Sequence, residues 1–409
     1  MMAAKGKRSN DNNKDGTEQI QLLTLKPKHH NPAPKAVISN KKETLTPDIV
    51  WSDPVPKCFL YSCIAVLLIV FIIVIHNYIS PDYSEQHDPT KHHPSTNNIE
   101  ASNDIEQQIK NPHIIWFILD DLGQSDFSYH GSEFDTPNID FLAKNGVELT
   151  QHYVSPICSA TRSSLLSGRF AYKMGLQGVL MDYVHPSVQS HLPVKFNTIG
   201  NYMQTAGYNT KLYGKWHVGY SKESYTPLKR GFNSHIGHYQ YAIDPFTKYN
   251  LDAWDTGKDW FVDGEFNDNQ EYSSDILLEA VLDDLDGYQQ GDDPLFMYIS
   301  FTNPHFPVLT PDEFNNDNMD KCAHIQNEDR KTYCLSVMYL DIAIGEITTK
   351  LKDTGLYDNT IIAMTGDNGP QVLDLCGTPG HHVGAGSAYP YRGGKYTLFQ
   401  GGVQTPAFI

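Results

Sequence analysis

Three sets of side chains stand where they could do chemistry together. Asp120 and Asp121 directly follow the apolar run HIIWFIL, His113 to Leu119; Asn303 and His305 follow Phe301; Asp367 and Asn368 follow Ile361 to Thr365 through Gly366. A single Asp beyond a strand is usually a helix cap or a turn residue. Two acid-rich pairs converging on one sheet edge would instead make a hard-oxygen cage for a divalent cation. The stretch SPICSATRSSLLSGR, Ser155 to Arg169, adds Cys158 at the start of a candidate helix, with Arg162 one helical turn further on. Taken alone, that cysteine reads as a buried structural thiol.

These residues matter only if the elements before them bring them to one place. His113 to Leu119 is a short, almost continuous apolar run, as expected of a strand buried on both faces. Thr136 and Pro137 open a helix that closes at Gly146, with Ile139, Leu142 and Ala143 on one side. A helix near Thr198 to Ala206 capped by Gly207, a strand near Thr210 to Tyr213 and a helix near Ser274 to Leu285 follow. The strand Leu295 to Phe301, the helix Tyr333 to Lys352 and the strand Ile361 to Thr365 complete the series. Strands alternating with helices imply an α/β fold with a mainly parallel central sheet covered by helices on both faces. In such a sheet ligands bind beyond the carboxyl ends of the strands, where the polar residues stand.

The 409 residues carry 31 Lys/Arg and 48 Asp/Glu, a formal net charge of −17, which excludes a basic nucleic-acid binder. The charge changes sign along the chain: residues 1–57 hold ten basic and six acidic side chains, residues 76–111 two and six. Between them Cys58 to Ile75 is uncharged and mostly apolar, close to the shortest helix that spans a bilayer. The expected organisation is a disordered cytoplasmic tail (1–57), a transmembrane signal-anchor helix (58–75), a polar stalk (76–111) and a folded domain (112–409). Lys57 and the lysines upstream place the N-terminus in the cytoplasm and the domain in a lumen or outside the cell, in the secretory pathway, the lysosome or at the cell surface. Cys322 and Cys334 flank a short polar stretch and could form a local disulfide there, leaving Cys376 without a partner.

The motifs in this domain resemble those of the sulfatase family. CSATR at Cys158 is similar to that family's Cys-x-Pro/Ala-x-Arg signature, with SLLSGR as its extension. DDLG at Asp120, TPNID at Thr136, GKWHVG at Gly214, RGF at Arg230, NPHFP at Asn303, TGDNG at Thr365, RGGK at Arg392 and GGV at Gly401 follow the family's order. The spacing most resembles the arylsulfatase B branch, which removes sulfate from N-acetylgalactosamine units of glycosaminoglycans. Ala160 stands where most eukaryotic relatives have Pro. The resemblance implies an alkaline-phosphatase-like α/β sandwich and sulfate-ester hydrolysis on a sulfated sugar or aryl sulfate. It further implies conversion of Cys158 to formylglycine by the formylglycine-generating enzyme, and one Ca2+ held by Asp120, Asp121, Asp367, Asn368 and the hydrated side chain at position 158.

By the same resemblance, Arg162 would hold that side chain and help neutralise the metal site. Lys215 and Lys395 would clamp sulfate oxygens, His305 would protonate the leaving oxygen, and His217 would take a proton from the second hydroxyl to expel sulfate. His381 and His382 have no motif support. A phosphatase or phosphodiesterase of the same superfold, with a Ser or Thr nucleophile, is the first alternative; a silent sulfated-glycan binding protein is the second. Relatives continue into a C-terminal subdomain, so the segment VQTPAFI, Val403 to Ile409, is expected to start a strand whose apolar residues are left uncovered.

Overall fold

The structure, a computed structural model, describes residues 111–177, 184, 189–251, 257–289, 291–372 and 385–409. The expected tail, the membrane helix 58–75, nearly all of the stalk, Cys376, His381 and His382 lie outside these residues. Among the described residues no helix is long and apolar enough to cross a membrane.

An eight-stranded sheet carries the site. Its strands are β1 (His113–Leu119), β2 (Asn209–Lys215), β3 (Ser234–His238), β4 (Phe261–Val262), β5 (Glu265–Phe266), β6 (Leu295–Ser300), β7 (Thr360–Gly366) and β8 (Ala407–Phe408), in the order β5-β4-β3-β2-β6-β1-β7-β8. The five from β3 to β7 in that order are parallel, and β4, β5 and β8 pair antiparallel at the edges. Among the described residues seven α-helices accompany them: α1 (Pro137–Asn145), α2 (Cys158–Ser167), α3 (Ile199–Thr205), α4 (Ser273–Asp286), α5 (Asp312–Cys322), α6 (Glu328–Asp353) and α7 (Gln400–Val403).

The period-2 alternation of the strands divides the core. Ile115, Phe117 and Leu119 of β1 join Met297 and Ile299 of β6 under α1, α4 and α6. Ile118, Phe296 and Tyr298 point the other way, toward Leu166 of α2, Leu212 and Phe232. Helices therefore cover both faces, as the alternation of elements implied. The sheet is drawn tight beside the site at Gly214, in β2: with φ of +92°, a Cβ there would lie 1.9 Å from the Ser300 carbonyl oxygen. Only glycine lets β2 approach β6 one residue before Lys215.

Sequence reasoning did not find β3, β4, β5 or α5. The buried positions of β3 are His235, Gly237 and His238 rather than branched apolar residues, and α5 is mostly polar, with Phe314 and Cys322 turned toward the core. Helix α6 begins five residues earlier than its apolar period suggested, because Asn327 caps it by accepting from the Arg330 amide. The expected Cys322–Cys334 disulfide is formed and ties the end of α5 to the first turns of α6.

The expectation of an uncovered C-terminal edge is corrected. Val403 ends α7, β8 is only two residues long, and Ala407 and Phe408 are buried. Residues 147–149 run beside them, with the Val147 amide 2.6 Å from the Ile409 carbonyl and the Leu149 amide 2.8 Å from that of Ala407. Ile409 alone of the three stays exposed.

Histidines inside a sheet make a fold acid-sensitive. Burial pushes His235 down to about 4, against the weaker effect of the Gly214 carbonyl. The unfolded chain takes up that proton near pH 6.5, so this contribution is complete above 6.5 and lost as pH falls toward 4, about 3 kcal/mol at most. Denaturant unfolding between pH 7 and 4.5 should show the loss, and His235→Phe should make the pH dependence shallower. An unchanged slope would contradict the assignment.

Candidate active site

The parallel strands deliver their carboxyl ends to one locus, and helix α2 inserts there. Its first residue is Cys158, whose Sγ lies 3.4 Å from Asp120 Oδ1; its fifth, Arg162, is fully buried. Arg162 donates to Asp367 Oδ2 from Nε at 3.0 Å and from a terminal nitrogen at 2.8 Å, and that same nitrogen lies 3.3 Å from Asp120 Oδ2. The other terminal nitrogen donates to the Ser300 hydroxyl at 2.5 Å and to the Lys215 carbonyl at 3.2 Å. One guanidinium thus touches residues at the ends of β1, β2, β6 and β7. Of the two tasks expected of Arg162, neutralising the carboxylates is the one seen in its hydrogen bonds.

The two lysines complete the balance. Lys215 donates to Asp120 Oδ2 at 2.6 Å, and Lys395 reaches both oxygens of Asp121 at 2.7 and 2.9 Å. Burial alone would raise the Asp120 carboxyl, but Lys215, His305, Arg162 and Lys395 hold it well below the usual range. Asp367 goes the other way: burial and then the Asp120 charge push it up to about 7, against Arg162. Cys158 is likewise raised, by burial and then by Asp120 and Asp367, so the thiol stays protonated.

A divalent cation fits this arrangement on three observations. Ligand atoms of Asp120, Asp121, Cys158 and His305 lie within 4.8 Å of one another. Asn368 donates its amide to Asp121 Oδ1 at 2.6 Å and to the Gly369 carbonyl, while its own Oδ1 is buried with no donor among the described residues. Two buried carboxylates with opposed shifts are what a cation would let ionise together. Asp367, expected as a ligand, turns Oδ2 to Arg162, and its Oδ1 faces the Asp121 amide at 3.4 Å. His305, expected as a proton donor, stands within the donor cluster as well.

Both expected histidines are buried. His305 pairs Nδ1 with the Phe306 carbonyl at 2.7 Å and turns Nε2 to within 3.6 Å of Asp121 Oδ2; burial lowers it to about 4, against the pull of Asp120. His217 has a left-handed backbone (φ 52°), and neither ring nitrogen has a partner among the described residues. Burial, then Lys215, keep it neutral.

Residues that sequence reasoning missed complete the support. Asp126 accepts from the Gly123 and Ser387 amides, from Arg330 and from the Tyr333 hydroxyl, and Tyr333 also donates to the Asp121 carbonyl at 3.1 Å. That network fixes the backbone of the Asp120–Asp121 turn from α6. Asp126 stands just beyond DDLG and was within reach of the motif; Ser300 and His238 carry no local spacing signal.

A family model described as Sulfatase matches residues 112–409. The chain belongs to the sulfatase family. Its sequence is 32% identical to mouse arylsulfatase J over 302 residues, 73% of this chain and 48% of that protein. It is 29% identical to human arylsulfatase A over 325 residues, covering 72% of this chain and 58% of that one. The sulfatase fold is matched by the crystal structure of Ps i-CgsB in complex with k-i-k-neocarrahexaose, with a TM-score of 0.64 and 28% identity over 73% of this chain and 65% of that chain. The chain spans about half the length of the curated relatives it matches. Sulfatases typically use formylglycine and a metal ion, and Asp120, Asp121, Cys158 and His305 make a buried cluster able to hold an ion.

Removing the guanidinium should expose how far the site's acids depend on it. Arg162→Met leaves Asp120 and Asp367 short of a cation and should cost about 3–5 kcal/mol in denaturant unfolding. Adding Asp367→Asn should cost less than the two single variants summed, because the shared repulsion has gone. Strictly additive costs would contradict the coupling.

Proposed function

We propose that this chain hydrolyses a sulfate ester of a sulfated sugar of glycosaminoglycan type, or of an aryl alcohol, through formylglycine at position 158. The observation that carries the reading is Cys158 at the first turn of α2, 3.4 Å from Asp120 and ringed by three buried cations. A thiol held protonated there is a poor nucleophile, so the position suits a residue whose chemistry is supplied by modification. The arylsulfatase and N-acetylgalactosamine-6-sulfatase relatives support the ester class. Specificity like that of the arylsulfatase B branch is part of the proposal and rests on motif spacing.

Asp120, Asp121, Asp367 and Asn368, with the side chain at position 158, would hold the cation, and their oxygen donors favour calcium. Bound there, it would supply a Lewis acid beside the nucleophile. Lys215 and Lys395 hold positive charge where sulfate oxygens must sit, each steadied by an aspartate. His305, with Nδ1 engaged on the Phe306 carbonyl, would deliver a proton to the leaving oxygen from Nε2 once protonated there beside Asp121. His217, neutral and with no hydrogen-bond partner on its ring nitrogens among the described residues, is the base that can accept a proton from a hydroxyl at position 158. Net, one S–O bond of the ester is exchanged for one to water, giving sulfate and the free alcohol.

The proposal extends to place: an anchor at residues 58–75, the N-terminus in the cytoplasm and the domain lumenal or extracellular. The Cys322–Cys334 disulfide suits an oxidising compartment.

The full chain, produced with the formylglycine-generating enzyme, should turn over a small aryl sulfate, and the peptide containing Cys158 should carry the aldehyde mass. Cys158→Ala should abolish turnover, and His217→Ala should lower it by about 10²-fold or more. Equal turnover in Cys158→Ala would refute the mechanism. Full modification without turnover would favour the silent glycan-binding alternative.

A further inference from the structure

The domain is acidic, yet one strip of it is not. From Ser155 to Phe196 the chain holds four Lys/Arg and one Asp/Glu, Asp182, against a net charge of −17 for the whole. The described residues of that strip, 155–177, 184 and 189–196, include α2 and the segment that follows it. A groove of about 550 Å³ runs along that helix, with Ser164 and Leu165 as its floor and Tyr153, Arg169, Phe170 and Lys173 around it. Among the described residues no Asp or Glu lines it.

The groove and the side chains packed next to its lining have a consistent chemistry. Tyr153, Phe170 and Tyr172 are exposed by 55%, 71% and 58%, unusually open for aromatic residues. Phe170 and Tyr172 stack at 5.5 Å, which presents two flat apolar faces side by side. Lys173 lies over Tyr172 at 5.3 Å, and Arg169 and Lys195 both lie over the Phe196 ring, at 4.5 and 5.0 Å. Among the described residues each of these cations is met by an aromatic ring and by no carboxylate, which leaves its charge available to a ligand.

We propose that this groove is a second binding site, for the chain of a sulfated oligosaccharide extending from the unit that is cleaved. The inference rests on the proposed sulfate-ester reading, and it names a site that this reading does not contain. Alternating flat apolar surfaces and unneutralised cations complement a ligand that alternates sugar rings with fixed anions. Duplex DNA would need a broader basic surface than three side chains provide. The geometry also gives a distance. Ser155, three residues before Cys158, lines the groove together with Lys173, beyond the C-terminal end of the ten-residue helix α2. At 1.5 Å per residue α2 spans about 15 Å, room for several sugar units beyond the scissile ester. Such a site would also offset the repulsion between an acidic domain and a polyanion.

The test uses the full chain and a chondroitin 4-sulfate hexasaccharide, with hyaluronan hexasaccharide and a duplex DNA of similar charge as controls, in calorimetry at 0.15 M salt. Arg169→Glu/Lys173→Glu should weaken hexasaccharide binding at least tenfold, and Phe170→Ala should weaken it several-fold, with unfolding midpoints unchanged. In turnover, the double variant should raise KM for the hexasaccharide while leaving kcat and all constants for a small aryl sulfate as in wild type. Wild-type hexasaccharide affinity in the double variant would overturn the proposal, as would equally tight binding of hyaluronan or DNA. Absence of aryl sulfate turnover would count against the sulfatase reading alone, because the calorimetry does not depend on it.

Discussion

One guanidinium with no exposed surface holds this site together. Arg162 reaches Asp120, Asp367, Ser300 and the Lys215 carbonyl, and so clasps the carboxyl ends of four parallel strands from a single helix. A buried cation is tolerable only when its donors are satisfied and its charge is met, and here both are done by residues that the chemistry also needs. The carboxylates are equally dependent on it. With Lys215 it helps to hold Asp120 ionised against burial, while Asp367, less well compensated, rises to about 7. Because Arg162 and Cys158 share one helix turn, fixing the first also places the second at the convergence of the strands.

The same balance accounts for what the pocket can attract. Three carboxylates, Asp120, Asp121 and Asp367, face three cations, Arg162, Lys215 and Lys395, and all six are buried. A divalent ion added to such a cluster leaves a net positive locus within a domain of opposite overall charge, which is what a sulfate monoester requires. Burial also keeps His217 and His305 neutral.

Much of this was legible in the sequence, for physical reasons that also explain the gaps. β1 and β6 are buried along most of their length and read as nearly continuous apolar runs, and α4 shows its period because Leu277, Val281 and Leu285 share one buried side. β3 was illegible because histidines and a glycine fill its buried positions, and the mostly polar α5 is held by the disulfide and by Phe314 packed against Tyr339. Site residues at strand ends could be found from motifs that place them in the chain. The contacts of Ser300, Asp126 and Tyr333 arise only when distant segments pack, so spacing could not announce them. The last residues misled for a related reason: Ala407 and Phe408 look unprotected in sequence, but residues 147–149 lie against them.

The central claim is that this charge balance is built around a divalent cation. Thermal unfolding of the full chain as a function of Ca2+ tests it without reliance on turnover or on modification of Cys158. The account predicts a midpoint that rises with Ca2+, corresponding to about 2.7 kcal/mol at one hundred times the dissociation constant, and no rise in Asp121→Ala. A midpoint indifferent to Ca2+ and other divalent ions, or an equal rise in Asp121→Ala, would contradict it.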